Sequence, residues 1–313
     1  KNNIIMQLSI VSTLYKSEIY LDEFIRILID SVKELNILDY EIIFVNDGSP
    51  DNSLKYLLQK KNEINEIKIV DLSRNFGHHY AMQAGLSIAK GEFVFLIDND
   101  LEVSPSILKT FHHELQSNDA IDVVYGFQEE RKGSFTESFG GKVFWWGINK
   151  FSEISIPKNI LTERLMRKEY VQNLLSLGDA NLFLGGMMYW TGHQQKGVSI
   201  AKKQRKEQST YSTKKRLELM LQAVTSFSGK PLEYLFYFGL IISILSFIFI
   251  AYLIGVKIVY NDAVQLGWTS IVAINVLILG ILSTFLGLIG IYLFKIFKQV
   301  QNRPNFIIKK IYD

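Results

Sequence analysis

Residues 92–105 read EFVFLIDNDLEVSP, an apolar run that breaks abruptly into acids. The run is short, rich in aromatic and β-branched side chains, and closed by polar residues and Pro105, as a buried strand ends. In extended backbone alternate side chains share a face, so Asp98, Asp100 and Glu102 are expected to converge. Three converging carboxylates repel and raise one another's pKa. A divalent cation removes that conflict, and an all-oxygen donor set favours Mg²⁺ or Mn²⁺. The bland alternative is a solvated turn.

The same grammar recurs upstream and downstream. LSIVST (8–13), EIIFVN (41–46), IKIVDL (67–72) and DVVYGF (122–127) read as further strands, and 21–35, 54–63, 79–89 and 105–116 carry helical spacing. Strands alternating with helices imply an α/β domain with a mostly parallel sheet, whose ligands sit beyond the carboxyl ends of the strands. One such end is Asn46-Asp47-Gly48-Ser49-Pro50-Asp51-Asn52-Ser53, a turn whose side chains either bind ligand or cap the following helix. No GxGxxG follows the first strand, no P-loop or HExxH occurs, and His78-His79 either line the cleft or cap a helix.

Bulk properties exclude other classes. The 313 residues are 48% hydrophobic with a net charge of +3, too small and too dispersed for a nucleic-acid binder, so no nucleic-acid partner is expected. Absence of cysteine removes disulfide and thiolate-metal readings. No signal peptide is visible at the N-terminus. The apolar surplus lies at the C-terminus, where 234–256 and 263–294 carry no charge. Each is long enough to cross a bilayer. Lys214, Lys215, Arg216 and Lys230 flank the first, and Lys295, Lys298, Arg303, Lys309 and Lys310 follow the second. By the positive-inside rule both ends face the cytoplasm, and 214–227 and 295–308 read as interfacial helices.

LSIVSTLYKSEIYL, FVNDGSPDNS, DLSRNFGHHYAMQAGL, LIDNDLEVSP, TERLMRKEYV, STYSTKKRLELMLQAVTSFSGKPL, GLIGIYLFKIF and NRPNFIIKK, in that order, resemble family-2 glycosyltransferases. The resemblance covers nearly the whole chain and points to the polyprenyl-phosphate branch, which includes dolichol-phosphate mannose synthases and bacterial bactoprenol glucosyl transferases. It implies a GT-A-type nucleotide-binding domain over 1–212, an interfacial helix over 213–230, a two-helix transmembrane hairpin over 231–295 and a cytoplasmic interfacial tail over 296–313. The expected setting is the inner membrane, multi-pass, with the catalytic domain on the cytoplasmic side and a homo-oligomeric state.

The resemblance also implies roles. Asp47 matches the base- and ribose-binding acid, and Asp98 and Asp100 match the DxD that binds metal and nucleotide diphosphate, with Glu102 as a further metal ligand. The nucleotide site is expected to comprise Thr13, Tyr15, Glu18, Asp47, Ser49, Asn75, Asp98 and Asn99. Arg131, Arg164, Lys203, Arg205 and Ser209 are expected at the acceptor phosphate, and Asp98, Asp100, Arg131 and Arg205 carry catalysis. The chain also departs from the family. The usual Pro of the first loop is Thr13, its Asn-Glu is Lys16-Ser17 with Glu18 following, and DFRL reads Thr162-Glu163-Arg164-Leu165, which lacks the acid often taken as base.

The implied chemistry is inverting transfer of a hexose from a nucleotide sugar to a polyprenyl phosphate. Lys202, Lys203, Arg205 and Lys206 either meet that phosphate or form a solvated face near anionic lipid. Trp145 and Trp146 either line the acceptor path or belong to an interfacial belt. A processive polysaccharide synthase would need a QxxRW motif and more spans. A non-catalytic partner retaining the fold would not need Asp47, Asp98 and Asp100.

Overall fold

The computed structural model describes residues 6–129, 157, 159–180, 184–200, 228–259 and 268–313. Four apolar runs form the middle of the sheet: β1 (Leu8–Leu14), β2 (Tyr40–Asn46), β3 (Ile67–Leu72) and β4 (Phe93–Leu96). They are buried on both faces, which is why they read as near-continuous apolar runs rather than alternating ones. β5 (Val123–Phe127), β6 (Ile160–Arg167), β7 (Gln195–Ser199) and β8 (Ile308–Tyr312) complete an eight-stranded sheet of order β7-β5-β6-β4-β1-β2-β3-β8. The β4-β1-β2-β3 centre is parallel, as expected, whereas β6 and β8 pair antiparallel with their neighbours.

Helices cover both faces. On one, α1 (Leu21–Glu34) and α4 (Ile107–Gln116) pack Phe24, Leu28, Leu108 and Phe111 against Ile10, Phe44 and Phe95. On the other, α3 (His78–Ile88) and α5 (Lys168–Ser176) pack Ala81, Ala84, Tyr170 and Leu174 against Val11, Val45 and Val94. The contact of α3 with the sheet is unusually close. A Cβ on Gly85 would lie 2.4 Å from Val11 Cγ1 and 2.9 Å from Val45 Cγ2, so no larger residue fits without displacing the helix. The shorter α2 (Ser53–Lys61) and α6 (Leu184–Trp190) fill the remaining flanks.

Strand order reverses at β1, which has β2 on one side and β4 on the other. The connections after β1 and β4 therefore diverge to opposite sides and leave a crevice between the two strand ends, where ligands of such sheets bind.

Two long helices follow, α7 (Lys230–Val259) and α8 (Trp268–Val300). They run as an antiparallel pair: the Tyr292 hydroxyl donates to the Ser228 carbonyl at 2.7 Å, and Phe238 meets Phe285 edge to face at 6.3 Å. Within α8, Ile278–Val300 is long and apolar enough to cross a membrane, with a mean hydropathy of 1.9 and none of that window buried in the protein. Phe236, Ile241, Leu245, Leu282 and Leu286 are all exposed.

The tail corrects the sequence reading. The helix expected over 295–308 ends at Val300, Asn302 turns with a φ of 46°, and β8 returns to pair antiparallel with β3. Its Lys-rich sequence suits a strand at a sheet edge as well as an interfacial helix, and here pairing wins. The return path is pinned to the α/β domain. Gln299 Nε2 donates to Gly178 O at 3.1 Å, Ala180 N–H donates to Gln299 Oε1 at 2.9 Å, and Asn305 Nδ2 donates to Gln83 Oε1 at 3.0 Å and Asp179 O at 2.9 Å. Residues 308–312 thus belong to the eight-stranded sheet, not to a separate tail.

Removing residues 306–313 should raise amide hydrogen exchange within β3 while leaving β1 and β2 protected. Hydrogen-exchange mass spectrometry on the detergent-solubilised full chain and the truncation checks this; unchanged exchange in β3 would contradict the pairing.

Candidate active site

Four loops meet at the carboxyl ends of β1, β2, β3 and β4. The first two are tied together by Asp51. Its Oδ1 accepts from Ser49 Oγ at 2.6 Å and Ser53 N at 3.2 Å, and its Oδ2 accepts from Ser53 Oγ at 2.8 Å and Glu18 N at 3.1 Å. Across the same seam Lys16 N–H donates to Ser49 Oγ at 2.8 Å, and Asn52 N–H donates to Glu18 Oε2 at 3.2 Å. Glu18 and Ser49, expected at the nucleotide, are therefore engaged in holding the β1 and β2 loops together. Tyr15 and Asn75 are exposed beside them. Burial pushes the Asp51 carboxyl up, but hydrogen bonds from Ser49, Ser53 and the Glu18 amide outweigh it and leave the group below the usual carboxylate range.

A depressed folded-state pKa gives stability above the unfolded pKa that is lost as pH falls through the folded value. Asp51→Asn should therefore lower Tm at pH 7, with the deficit shrinking below about pH 4. Thermal unfolding at the two pH values measures this, and a deficit indifferent to pH would remove the linkage.

The second tie is Asp47, which is buried. Its Oδ1 accepts from Phe76 N at 2.7 Å and its Oδ2 from Gly77 N at 3.0 Å. The β3–α3 loop is thereby pulled onto β2 so closely that a Cβ on Gly48 would lie 2.6 Å from Asn75 N, with Gly48 itself at a φ of 60°. Gly77 turns at a φ of 106° and opens α3, with no side-chain cap at that end. His78 and His79 accordingly do not cap the helix.

His78 instead reaches across the crevice. Its Nδ1 lies 3.0 Å from Thr13 Oγ1 and its Nε2 3.3 Å from Asp98 Oδ1. Asn99, buried, donates from Nδ2 to the Thr13 carbonyl at 2.8 Å. Thr13, His78, Asp98 and Asn99 thus form one connected group at the point where strand order reverses. The sequence points to Thr13, Asp98 and Asn99 at the nucleotide and leaves His78 as either cleft-lining or a helix cap; its contacts here are those of the first alternative. The signal was available: NFGHH follows β3, so its first residues sit at the same sheet end as the acids.

The acid triplet is arranged differently from the expectation. β4 ends at Leu96, residues 99–103 bend, Leu101 has a φ of 57°, and Glu102 N–H donates to Asp100 Oδ1 at 3.0 Å. Backbone that folds on itself does not alternate side chains, so Asp98, Asp100 and Glu102 do not line one face. No group of three metal-ligating side chains occurs among the described residues. Asp98 and Asp100, both partly exposed, fit instead an ion held by one or two carboxylates and completed by substrate phosphates, the usual mode for Mg²⁺.

Arg164 lies on β6, whose residue 164 pairs with Leu96 of β4. It is buried, with Nε donating to Thr162 O and Nη2 to Leu161 O, each at 3.0 Å, while Nη1 has no hydrogen-bond partner among the described residues. Glu163 is equally buried but shares the opposite face of β6 with Leu165. Arg131, Lys203, Arg205 and Ser209, and with them Trp145, Trp146, Lys202 and Lys206, lie outside the described residues.

The chain is 39% identical over 308 residues to a glycosyltransferase-named protein of Mycobacterium tuberculosis (strain CDC 1551 / Oshkosh), covering 98% of this chain and 89% of that one. It is 30% identical over 311 residues to the SfII prophage-derived bactoprenol glucosyl transferase of Shigella flexneri, covering 97% and 98%. Among solved structures, glucosyl-3-phosphoglycerate synthase from Mycobacterium tuberculosis in complex with phosphoglyceric acid superposes with a TM-score of 0.46 at 17% identity, covering 72% of this chain and 80% of that one. The profile of glycosyl transferase family 2 matches residues 9–175, the segment that carries Thr13, Asp47, His78, Asp98 and Arg164, and the chain belongs to that family.

Proposed function

We propose that this transferase moves a hexose from a nucleotide sugar, a UDP-sugar in the first instance, onto a polyprenyl phosphate at the cytoplasmic face of a bacterial inner membrane. The observation that carries the lipid acceptor is the unburied apolar helix α8, pinned at its end to the catalytic domain through Gln299 and β8. In water such a surface would be strongly unfavourable, at about 25 cal/mol per Å² of apolar area. Likeness to a bactoprenol glucosyl transferase over 97% of the chain supports the same acceptor. On this reading α7 and α8 are both spans, and the loop at 260–267 faces away from the cytoplasm.

The donor's base and ribose are assigned to the loop beside Asp47, and its diphosphate to the crevice at Asp98, Asn99 and Asp100. A divalent cation bound at Asp98 and Asp100 supplies Lewis-acid neutralisation of the leaving diphosphate. An acceptor phosphate oxygen attacks the anomeric carbon, the bond from that carbon to the diphosphate oxygen breaks, and configuration inverts. No proton has to be removed by the protein. A phosphate monoester has a second pKa near 6 and arrives largely ionised. Positioning and charge compensation are what remain. Arg164, whose buried Nη1 has no hydrogen-bond partner among the described residues, is assigned to that phosphate, since an unsatisfied buried N–H gains most from an arriving anion.

Purified chain incubated with Mg²⁺, undecaprenyl phosphate and a panel of nucleotide sugars should form one lipid-linked sugar. Asp98→Asn and EDTA should each lower turnover at least ~100-fold, with EDTA reversed by added metal, whereas Glu163→Gln should cost far less. Full turnover in EDTA would remove the cation from the mechanism. A loss at Glu163→Gln as deep as at Asp98→Asn would restore a protein base.

For topology, a reporter fused after Asp313 should sit in the cytoplasm and one inserted at Asn261 on the opposite side. A cytoplasmic signal from both would replace the spanning hairpin with re-entrant helices.

A further inference from the structure

His78 has both ring nitrogens committed. Asp98 Oδ1, a carboxylate oxygen, accepts only, so Nε2 carries the hydrogen at the 3.3 Å contact. In the neutral ring Nδ1 then accepts, and the Thr13 hydroxyl at 3.0 Å is its donor. With neither nitrogen left over, the ring is not arranged as a metal ligand. Nor is it a helix cap, because α3 opens at Gly77 without one. Its backbone is fixed from below: Asp47 holds the amides of Phe76 and Gly77, and the positive φ of Gly77 aims residue 78 across the crevice.

The contact is also on the ligand side. The side chains of His78 and Asp98 are 45% and 29% exposed, so the pair faces the open crevice and is not a core polar network. Thr13, in turn, is held by Asn99 Nδ2 on its carbonyl at 2.8 Å. The circuit therefore runs from β1 through α3 to β4 and back.

We infer that His78, oriented by the Thr13 hydroxyl, is a positioning residue that sets the Asp98 carboxylate for the cation and diphosphate of the donor. The inference rests on the assignment of Asp98 to that role. Residues that orient a metal-ligating carboxylate typically change metal affinity by ~10–100-fold when lost. Thr13 and His78 act as one unit, because the hydroxyl matters only through the ring it orients.

The test is isothermal titration of the detergent-solubilised full chain with UDP and with GDP, each with and without Mn²⁺. His78→Ala and Thr13→Val should each weaken the Mn²⁺-dependent binding about tenfold, with a smaller loss in the metal-free binding of the same nucleotide. The double variant should bind as His78→Ala does. His78→Gln, whose amide restores an N–H near the Nε2 position, should stay within about threefold of wild type, and Thr13→Ser should do the same. Thermal midpoints of all variants separate these losses from unfolding. Additive losses in the double variant would overturn the inference. So would a Gln variant as weak as the Ala variant, or an Ala variant that binds normally while Asp98→Asn loses the metal-dependent component. If Asp98→Asn also keeps that component, the donor assignment falls and takes this inference with it.

Discussion

A buried carboxylate gripping two backbone amides holds the crevice in shape. Asp47 is an acid in a place from which water is excluded, and its charge is tolerable only because Phe76 and Gly77 donate to its two oxygens. Those bonds do more than satisfy the acid. They draw the β3–α3 loop over β2 until Gly48 nearly touches Asn75, and they fix the turn from which His78 crosses to Asp98. If the donor's base and ribose lie here, as proposed above, their recognition would operate through a carboxylate that already organises the protein.

The other end of the same loop is held by the C-terminus. Ser73 N–H donates to Ile307 O at 2.9 Å, Lys309 lies 3.8 Å from Asp71, and Asp71 in turn accepts from Asn46 Nδ2 at 2.7 Å. Asn46 also accepts from the Ser49 amide at 3.1 Å, so an ion pair and two hydrogen bonds in series join the strand after α8 to the turn beyond β2. Lys68 closes a second seam, 3.0 Å from the buried Glu41 and 3.3 Å from Asp313. Burial works against the Lys68 charge, but Glu41 and Asp313 outweigh it and raise its pKa. The end of α8 is thus tied through the C-terminal strand to the loops that shape the crevice.

What was legible in the sequence follows from periodicity. The runs 8–13, 41–46, 67–72, 92–97 and 122–127 fall within one residue of the observed strands, because buried parallel strands must be apolar whatever follows them. β6 and β7 were not legible. ILTERLMR mixes Glu and Arg into a buried strand, and QKGVS is too short and polar to stand out. The convergence of three acids failed for a local reason: a positive φ at Leu101 and the Asp100–Glu102 hydrogen bond end the extended geometry on which alternation depends. The return of IKKIY to the sheet edge could not be read locally at all, since its partner lies more than two hundred residues away. Basic and apolar residues in alternation serve a membrane surface and an exposed edge strand equally well.

β6 also bears on the transfer proposed above. Leu165 packs with Phe95 and Phe111 on one face of the sheet, and Met166 packs with Val94 and Tyr170 on the other. Alternation then puts Glu163 with Phe95 and Arg164 with Leu96, the residue two positions before Asp98. The strand therefore holds its guanidinium and its carboxylate on opposite faces. An alcohol acceptor needs its proton removed before it can attack, whereas a phosphate acceptor arrives largely ionised and is opposed by like charge as it approaches a diphosphate. A buried cation relieves like charge most where the dielectric is lowest. On the proposed reading, Thr162 in place of the family's acid leaves one negative group fewer near that path, and Arg164 is the cation that β6 holds on the face of Leu96.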